Sequence, residues 1–197
     1  MKVGVLALQG DFAEHNALLT KLGAVGREVR LPKHLEGLEG LIIPGGESTT
    51  LSRLMSLYHL REPIEEMAGQ GKVIWGTCAG MIMMAQEITE GDPVPLELMD
   101  IGVLRNAFGR QVDSFEEDLQ VAGFDSVPFH GVFIRAPAII RVGREVEVLS
   151  TLPDGRPVAV RQDNLLATAF HPELTNDTRF HQHFLDLVAA RRRSLTQ

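Results

Sequence analysis

The sequence predicts an α/β fold, with a mostly parallel central sheet covered by helices on both faces. Three observations carry the prediction. Residues 2–8 (KVGVLAL), 25–31, 40–44 (GLIIP) and 72–77 (KVIWGT) are short runs rich in Val, Ile and Leu that lack polar alternation, as expected of strands buried on both faces. Stretches of helical length and periodicity separate them, and a β-α-β rhythm with such connections implies parallel pairing. With 197 residues, 44% hydrophobic and 23% charged, the chain has the size and composition of one well-cored soluble domain, residues 1–197.

The elements follow in order. After the first strand, Asp11 and Glu14 have the D-x-x-E spacing of an N-cap and its reciprocal partner, and the helical pattern runs to Leu22 before Gly23. Polar-apolar helical segments fill residues 49–57 and 61–69, and a further helix starts near Ala79. From residue 100 the texture changes to shorter strands joined by turns: IGVLRN, SVPFHGVFIRA, EVEVLSTL, then RPVAVRQ and LLATAFH on either side of Asp163-Asn164. Pro153-Asp154-Gly155 marks another turn. The last helix, residues 177–193, sets Phe180, Phe184, Leu187 and Val188 on one face.

Nineteen basic residues against 26 acidic ones, a net charge of −7, argue against a general nucleic-acid binder. The run Arg191-Arg192-Arg193 fits the cationic last turn of a helix, where it complements the helix dipole. One cysteine excludes an intrachain disulfide and fits a reducing compartment. The opening MKVGVLALQGDF lacks the length and cleavage site of a secretory signal, and no stretch reaches the roughly 18–20 apolar residues of a membrane span. A cytoplasmic protein is expected.

That single cysteine, Cys78, stands in WGTCAGM. G-x-C-x-G is the thiol version of G-x-S-x-G, in which the nucleophile occupies a tight, strained turn between a strand and a helix. Gly76 and Gly80 would let the chain pack closely around that turn. Free cysteine is commonly an inert core residue, but the strand before it and the helix after it are the context the motif requires. A helix N-terminus also lowers a thiol pKa from its usual value of about 8.5, and the N–H of Ala79 is placed to be one oxyanion donor.

A thiolate that later releases an amine needs a proton shuttle, usually histidine. Of seven histidines, His15, His34 and His59 have no special neighbour in the sequence, and His130 lies in a strand region. His181 and His183 are two apart on a helix, which makes them a poor metal pair. His171 ends the apolar run LLATAF and begins HPE. A histidine at a strand end can reach a nucleophile at the end of another strand. Glu173, two residues on, can orient the imidazole and stabilise its cation; the alternative is a turn residue that helps the next element begin. In PGGEST (residues 44–49), an N-cap serine explains Ser48 but not two adjacent glycines. Paired glycines let peptide units turn their N–H groups toward a developing oxyanion.

GTCAG, a distant HPE and a glycine loop after the preceding strand resemble the class I (triad) glutamine amidotransferases. LALQGDFAEH, PGGEST, RNAFGRQVDSFE, FIRAP and HPELTNDTRFHQHF, in that order along nearly the whole chain, resemble the glutaminase-subunit family of pyridoxal 5′-phosphate synthase. MIMMAQ stands where that family has a more leucine-rich helix, and Met81, Met83 and Met84 fit flexible core fillers. The resemblance implies a flavodoxin-like, three-layer α/β/α domain that hydrolyses L-glutamine to glutamate and ammonia. Cys78 would be the nucleophile, His171 the base and acid, and Glu173 the orienting carboxylate. Gly46 and Ala79 would supply the oxyanion hole. Glutamine would be bound by Gly46, Glu47 and Ser48, by Arg105, and by Ile134 and Arg135.

The resemblance further implies that the ammonia passes to a (β/α)₈-barrel synthase subunit, with no metal or bound cofactor in the glutaminase half. Free glutamine carries both charges, so either Arg105 or Arg135 can meet its carboxylate while Glu47 takes its ammonium; for each arginine the alternative is a surface ion pair. Two rivals remain. The glutaminase subunit of imidazole glycerol phosphate synthase shares the triad, but RNAFGRQ, FIRAP and the double glycine with EST argue against it. A non-catalytic flavodoxin-like binding or chaperone module has the cysteine, but HPE argues against that.

Overall fold

β1 (Val3–Leu6), buried at every residue, lies beside the point where the central sheet changes direction of growth. The computed structural model describes residues 1–105 and 114–194. Beyond β1 the chain forms α1 (Phe12–Lys21), β2 (Gly26–Val29), β3 (Gly40–Ile43), α2 (Ser48–Leu57), α3 (Arg61–Gly69), β4 (Val73–Thr77), α4 (Ala79–Met84) and β5 (Ala85–Ile88). There follow β6 (Met99–Leu104), β7 (Ser114–Leu119), β8 (Phe129–Ile134), β9 (Ala138–Val142), β10 (Glu147–Thr151), β11 (Pro157–Gln162), β12 (Leu165–Thr168) and α5 (Arg179–Ser194).

The main sheet has the order β10-β11-β12-β4-β3-β1-β2. Its β2-β1-β3-β4-β12 portion is parallel throughout, and β11 and β10 extend it antiparallel past β12. With β12 in fifth place, the parallel part has the 2-1-3-4-5 order of the flavodoxin-like doubly wound fold. Helices cover both faces, as expected. On one face Trp75 of β4 packs against Phe184 of α5 (ring centroids 5.8 Å apart) and against His15 of α1 (5.6 Å). On the other, α4 lies against β3, β4 and β12, with α2 beside it. Trp75, Phe180 and Phe184 are wholly buried, each contributing about 1.5–3 kcal/mol of apolar burial.

Four sequence expectations change. The helix after Cys78 stops at Met84, because the N–H groups of Leu96 and Leu98 bond the carbonyls of Met83 and Met84 (2.7 and 3.1 Å) and the chain turns directly into β5. β5, β7 and β9 had no clear sequence signal: β5 was hidden in the expected helix, and β7 (SFEEDL) is too acidic to read as a strand. Strands β5, β6 and β9 form a small second sheet, and β7 and β8 a two-stranded ribbon. Asp11 occupies the N-cap position of α1, yet its side chain makes no capping bond. The last helix begins at Arg179, and Asp177 accepts the Arg179 N–H at 3.0 Å just ahead of it. Met81, Met83 and Met84 are wholly buried, as core fillers should be.

Candidate active site

The carboxyl ends of β1, β3, β4 and β12 converge on one side of the sheet, next to the β1/β3 switch point where doubly wound folds bind ligands. β4 delivers Cys78. Its φ of 47° and ψ of −105° are a conformation that is strained for any residue with a Cβ. Two features hold it there. The Cys78 N–H continues the parallel ladder to the Thr168 carbonyl at 2.8 Å. A side chain on Gly76 would strike the backbone of Gly80, and one on Gly80 would strike the carbonyl of Ile43. Close approach of β3, β4 and α4 therefore fixes the turn, and only glycines allow it. The Cys78 thiol lies 3.9 Å from the Ile134 carbonyl oxygen. Ala79 opens α4, so its N–H is among those with no intrahelical acceptor.

β12 delivers His171, whose N–H is anchored to the Val132 carbonyl at 2.8 Å. The residue is 5% exposed. Nδ1 meets Glu173 Oε1 at 2.7 Å and stands 3.3 Å from Asp11 Oδ2. Burial works to lower the His171 pKa, but Asp11, Cys78 and Glu173 outweigh it and push it up to about 12. Burial holds the Glu173 pKa above the usual carboxylate value, against the pull of the His171 imidazolium. The His171 ring thus has two carboxylates at Nδ1, and with Cys78 they favour its imidazolium form.

The loop after β3 supplies the third side. Gly46 has a φ of +139°, and a side chain there would collide with Gln9. The Glu47 N–H donates to Gln9 Oε1 at 3.1 Å. Glu47, not Ser48, caps α2: its carboxylate accepts from the N–H groups of Thr49 and Thr50 (3.1 and 2.7 Å) and from the Thr49 hydroxyl. Partial burial opposes these bonds, which nonetheless hold the Glu47 pKa at about 2. Arg105 Nη2 lies 3.5 Å from Glu47 Oε1, and Arg105 Nη1 donates to the Asp92 carbonyl. Residues 106–111 of RNAFGRQ lie outside the described residues. Arg135, at a φ of 45°, has no ion pair among the described residues.

A cavity of about 380 Å³ brings together Cys78, His171, Gly46, Glu47, Ser48, Arg105, Ile134 and Arg135. Glu173 sits behind His171, away from the opening. A larger hollow of about 710 Å³ beside α2, lined by Arg53, Leu57, Arg61 and Val94 among others, contains neither thiol nor histidine.

Sequence reasoning missed Asp11, His15 and His181. Asp11 lines the cavity, and His15 and His181 are buried behind Glu173. Asp11 and His15 are four residues apart at the start of α1, a spacing that puts both on one helix face; that was the available signal. Asp11, His171 and Glu173 also place one ligand atom each within 4.8 Å of the others. A metal there would have to displace the proton that His171 Nδ1 shares with Glu173.

The profile of the SNO glutamine amidotransferase family matches residues 5–190. A protein of Herpetosiphon aurantiacus called pyridoxal 5′-phosphate synthase subunit PdxT is 60% identical over 190 residues, covering 95% of this chain and 100% of that protein. One of the same name from Salinispora tropica is 56% identical over 194 residues, 95% and 96% of the two chains. A crystal structure of a glutamine amidotransferase, 51% identical, superposes with a TM-score of 0.91 over 96% of this chain and 100% of that one. A chain in the structure of PurLQS from Thermotoga maritima is 17% identical, with a TM-score of 0.74 over 94% and 97% of the two chains, a likeness of fold alone. The chain belongs to the SNO glutamine amidotransferase family.

Proposed function

We propose that this chain is the glutaminase subunit of a pyridoxal 5′-phosphate synthase, with residues 1–197 as one glutaminase domain. It hydrolyses L-glutamine to glutamate and ammonia, and the ammonia passes to a synthase subunit, a (β/α)₈ barrel. The observation that carries the proposal is Cys78 on its strained turn beside a His171 that is paired with Glu173. Kinship with proteins called synthase subunits supports the partner.

Cys78 attacks the side-chain amide as a thiolate, and the oxyanion develops toward the N–H of Ala79 and a peptide of the Gly46 loop. His171, the imidazolium of the pair, gives its proton to the departing ammonia. It then takes one from the water that opens the glutamyl thioester, and glutamate leaves. Glu173 fixes the ring and stabilises its cation. Arg135, which has no ion pair among the described residues, can meet the substrate carboxylate. Arg105 is already engaged with Glu47, whose carboxylate is shared between the α2 cap and the cavity. A reducing, cytoplasmic setting fits a reaction whose one thiol must stay free.

The test is glutamate release by the chain combined with a pyridoxal phosphate synthase subunit or with an imidazole glycerol phosphate synthase subunit. Stimulation by the first alone is expected. Stimulation by the second, or by neither, overturns the assignment.

A further inference from the structure

Behind the triad lies a second row of buried imidazoles. His15 of α1 and His181 of α5 are both wholly inaccessible to solvent. His15 Nδ1 and His181 Nε2 are 2.8 Å apart, so one ring must donate to the other. His15 Nε2 meets the Thr77 hydroxyl at hydrogen-bond distance (3.3 Å) and stands 3.4 Å from Glu173 Oε2, a close charge contact outside hydrogen-bond geometry. Among the described residues, Glu173 Oε2 and His181 Nδ1 are buried atoms with no hydrogen-bond partner.

One proton assignment suits all these atoms. With its proton on Nε2, His181 donates to His15 Nδ1, and the orphan at His181 Nδ1 is a lone pair rather than an unmet N–H. His15 then carries its proton on Nε2 and presents it to Thr77 and to the carboxylate oxygen that His171 leaves unused. The reverse assignment buries an N–H at His181 with no acceptor and turns a lone pair of His15 toward a carboxylate, both costly in a dry interior. Burial, with the His181 ring and the His171 cation nearby, holds His15 neutral, and burial lowers His181 to about 3.

We propose that His15, oriented by His181, is a positioning residue for the glutaminase reaction: its Nε2–H is the polar hydrogen that faces the second oxygen of Glu173 and, by that close contact, keeps the buried carboxylate ionised toward His171. The inference rests on Glu173 being the orienting carboxylate of the triad. Around His171 the charged groups are Asp11 from the β1–α1 loop, Glu173, and Cys78 at the end of β4. Of these charged side chains only that of Glu173 lies against the His15 ring, whose backbone N–H bonds the Asp11 carbonyl, so a change of the ring reaches the chemistry through Glu173.

Two amide substitutions separate positioning from packing. Gln can place an N–H where His15 Nε2 lies, whereas Asn reproduces only the Nδ1 end that faces His181. In the complex with its synthase, His15→Asn should have a kcat about tenfold below that of His15→Gln, at similar KM, the scale of one hydrogen bond to a charged group. The His171 imidazolium, followed by NMR of labelled histidine, should lose its proton at lower pH in His15→Asn than in His15→Gln. In the unmodified chain His15 itself should appear as a neutral Nε2–H ring across about pH 5 to 8, where a free imidazole titrates. Glu173→Gln is measured alongside. Equal kcat and equal His171 titration in the two His15 variants, with Glu173→Gln impaired, overturn the relay and leave the triad standing. A fully active Glu173→Gln removes the triad role and the relay with it. A His15 that titrates, or that carries its proton on Nδ1 in the unmodified chain, overturns the relay even where a variant does not fold.

Discussion

Asp11 Oδ2 stands 3.3 Å from His171 Nδ1, the same ring nitrogen that Glu173 Oε1 meets at 2.7 Å. Two carboxylates at one ring nitrogen both stabilise its cation, and both raise the ring's pKa. Asp11→Asn should therefore lower the pH at which His171 deprotonates, read from its NMR titration, while costing less activity than Glu173→Ala because the ring stays anchored. An unchanged titration would show that Asp11 is a bystander.

The same shift makes stability depend on pH. The folded-state pKa of His171 is raised from 6.5 to about 12, so its contribution is full below pH 6.5 and is lost as pH rises toward 12. Unfolding free energy in urea, measured between those limits, should decline through this group. The decline should be shallower in Cys78→Ala, where one source of the shift is gone. Parallel curves for the two proteins would contradict the thiol–imidazolium pair.

Cys78→Ala should abolish glutamine hydrolysis without loss of fold, since one small buried side chain replaces another. Supplied with an ammonium salt, the synthase should still work beside this variant. Residual hydrolysis there would remove the mechanism.

His171→Asn should be as damaging as loss of the thiol, and Glu173→Ala less so, because members of a triad act as a unit and the carboxylate transfers no proton. The comparison is made on kcat in the assembled complex.

The loop after β3 predicts partner control. Its Glu47 N–H is held by Gln9 Oε1, turned to a side chain instead of to substrate. The Gly46 φ of +139° is one that other residues rarely adopt. The free chain should be a poor glutaminase, and docking should select the loop state that aims a second donor at the oxyanion. One such donor is worth about 10²–10³ in rate, which sets the expected stimulation by saturating synthase. Equal rates with and without synthase would rule out the switch, and normal stimulation of Gly46→Ala would move it elsewhere in the chain.

The parallel core was legible in the sequence because strands covered on both faces leave unbroken apolar runs, as in β1, β3 and β4. β5 and β7 were not. β5 follows α4 with no intervening turn residue, and β7 sets Glu116, Glu117 and Asp118 in a row, residue types that are depleted in strands. Of the candidate site, Cys78, His171 and the PGGEST loop were visible because glycines and strand ends mark them. Asp11 and His15 were hidden, since an aspartate ahead of a helix looks like a cap until the strand across the sheet brings a histidine to it. His181 was weighed as a metal ligand, when its neighbour is an imidazole 166 positions away.

The backbone at Cys78 has a further consequence. A φ of 47° with ψ of −105° suits glycine and few other residues. Cys78→Ala keeps that torsion under a methyl group, whereas Cys78→Gly relieves it. Two equally inactive proteins should thus differ in melting temperature, Cys78→Gly being the more robust by about 1–3 kcal/mol less the flexibility glycine adds to the unfolded chain. The nucleophile occupies a position where selection for durability alone would favour glycine, so a thiol there is a mark of selection for chemistry.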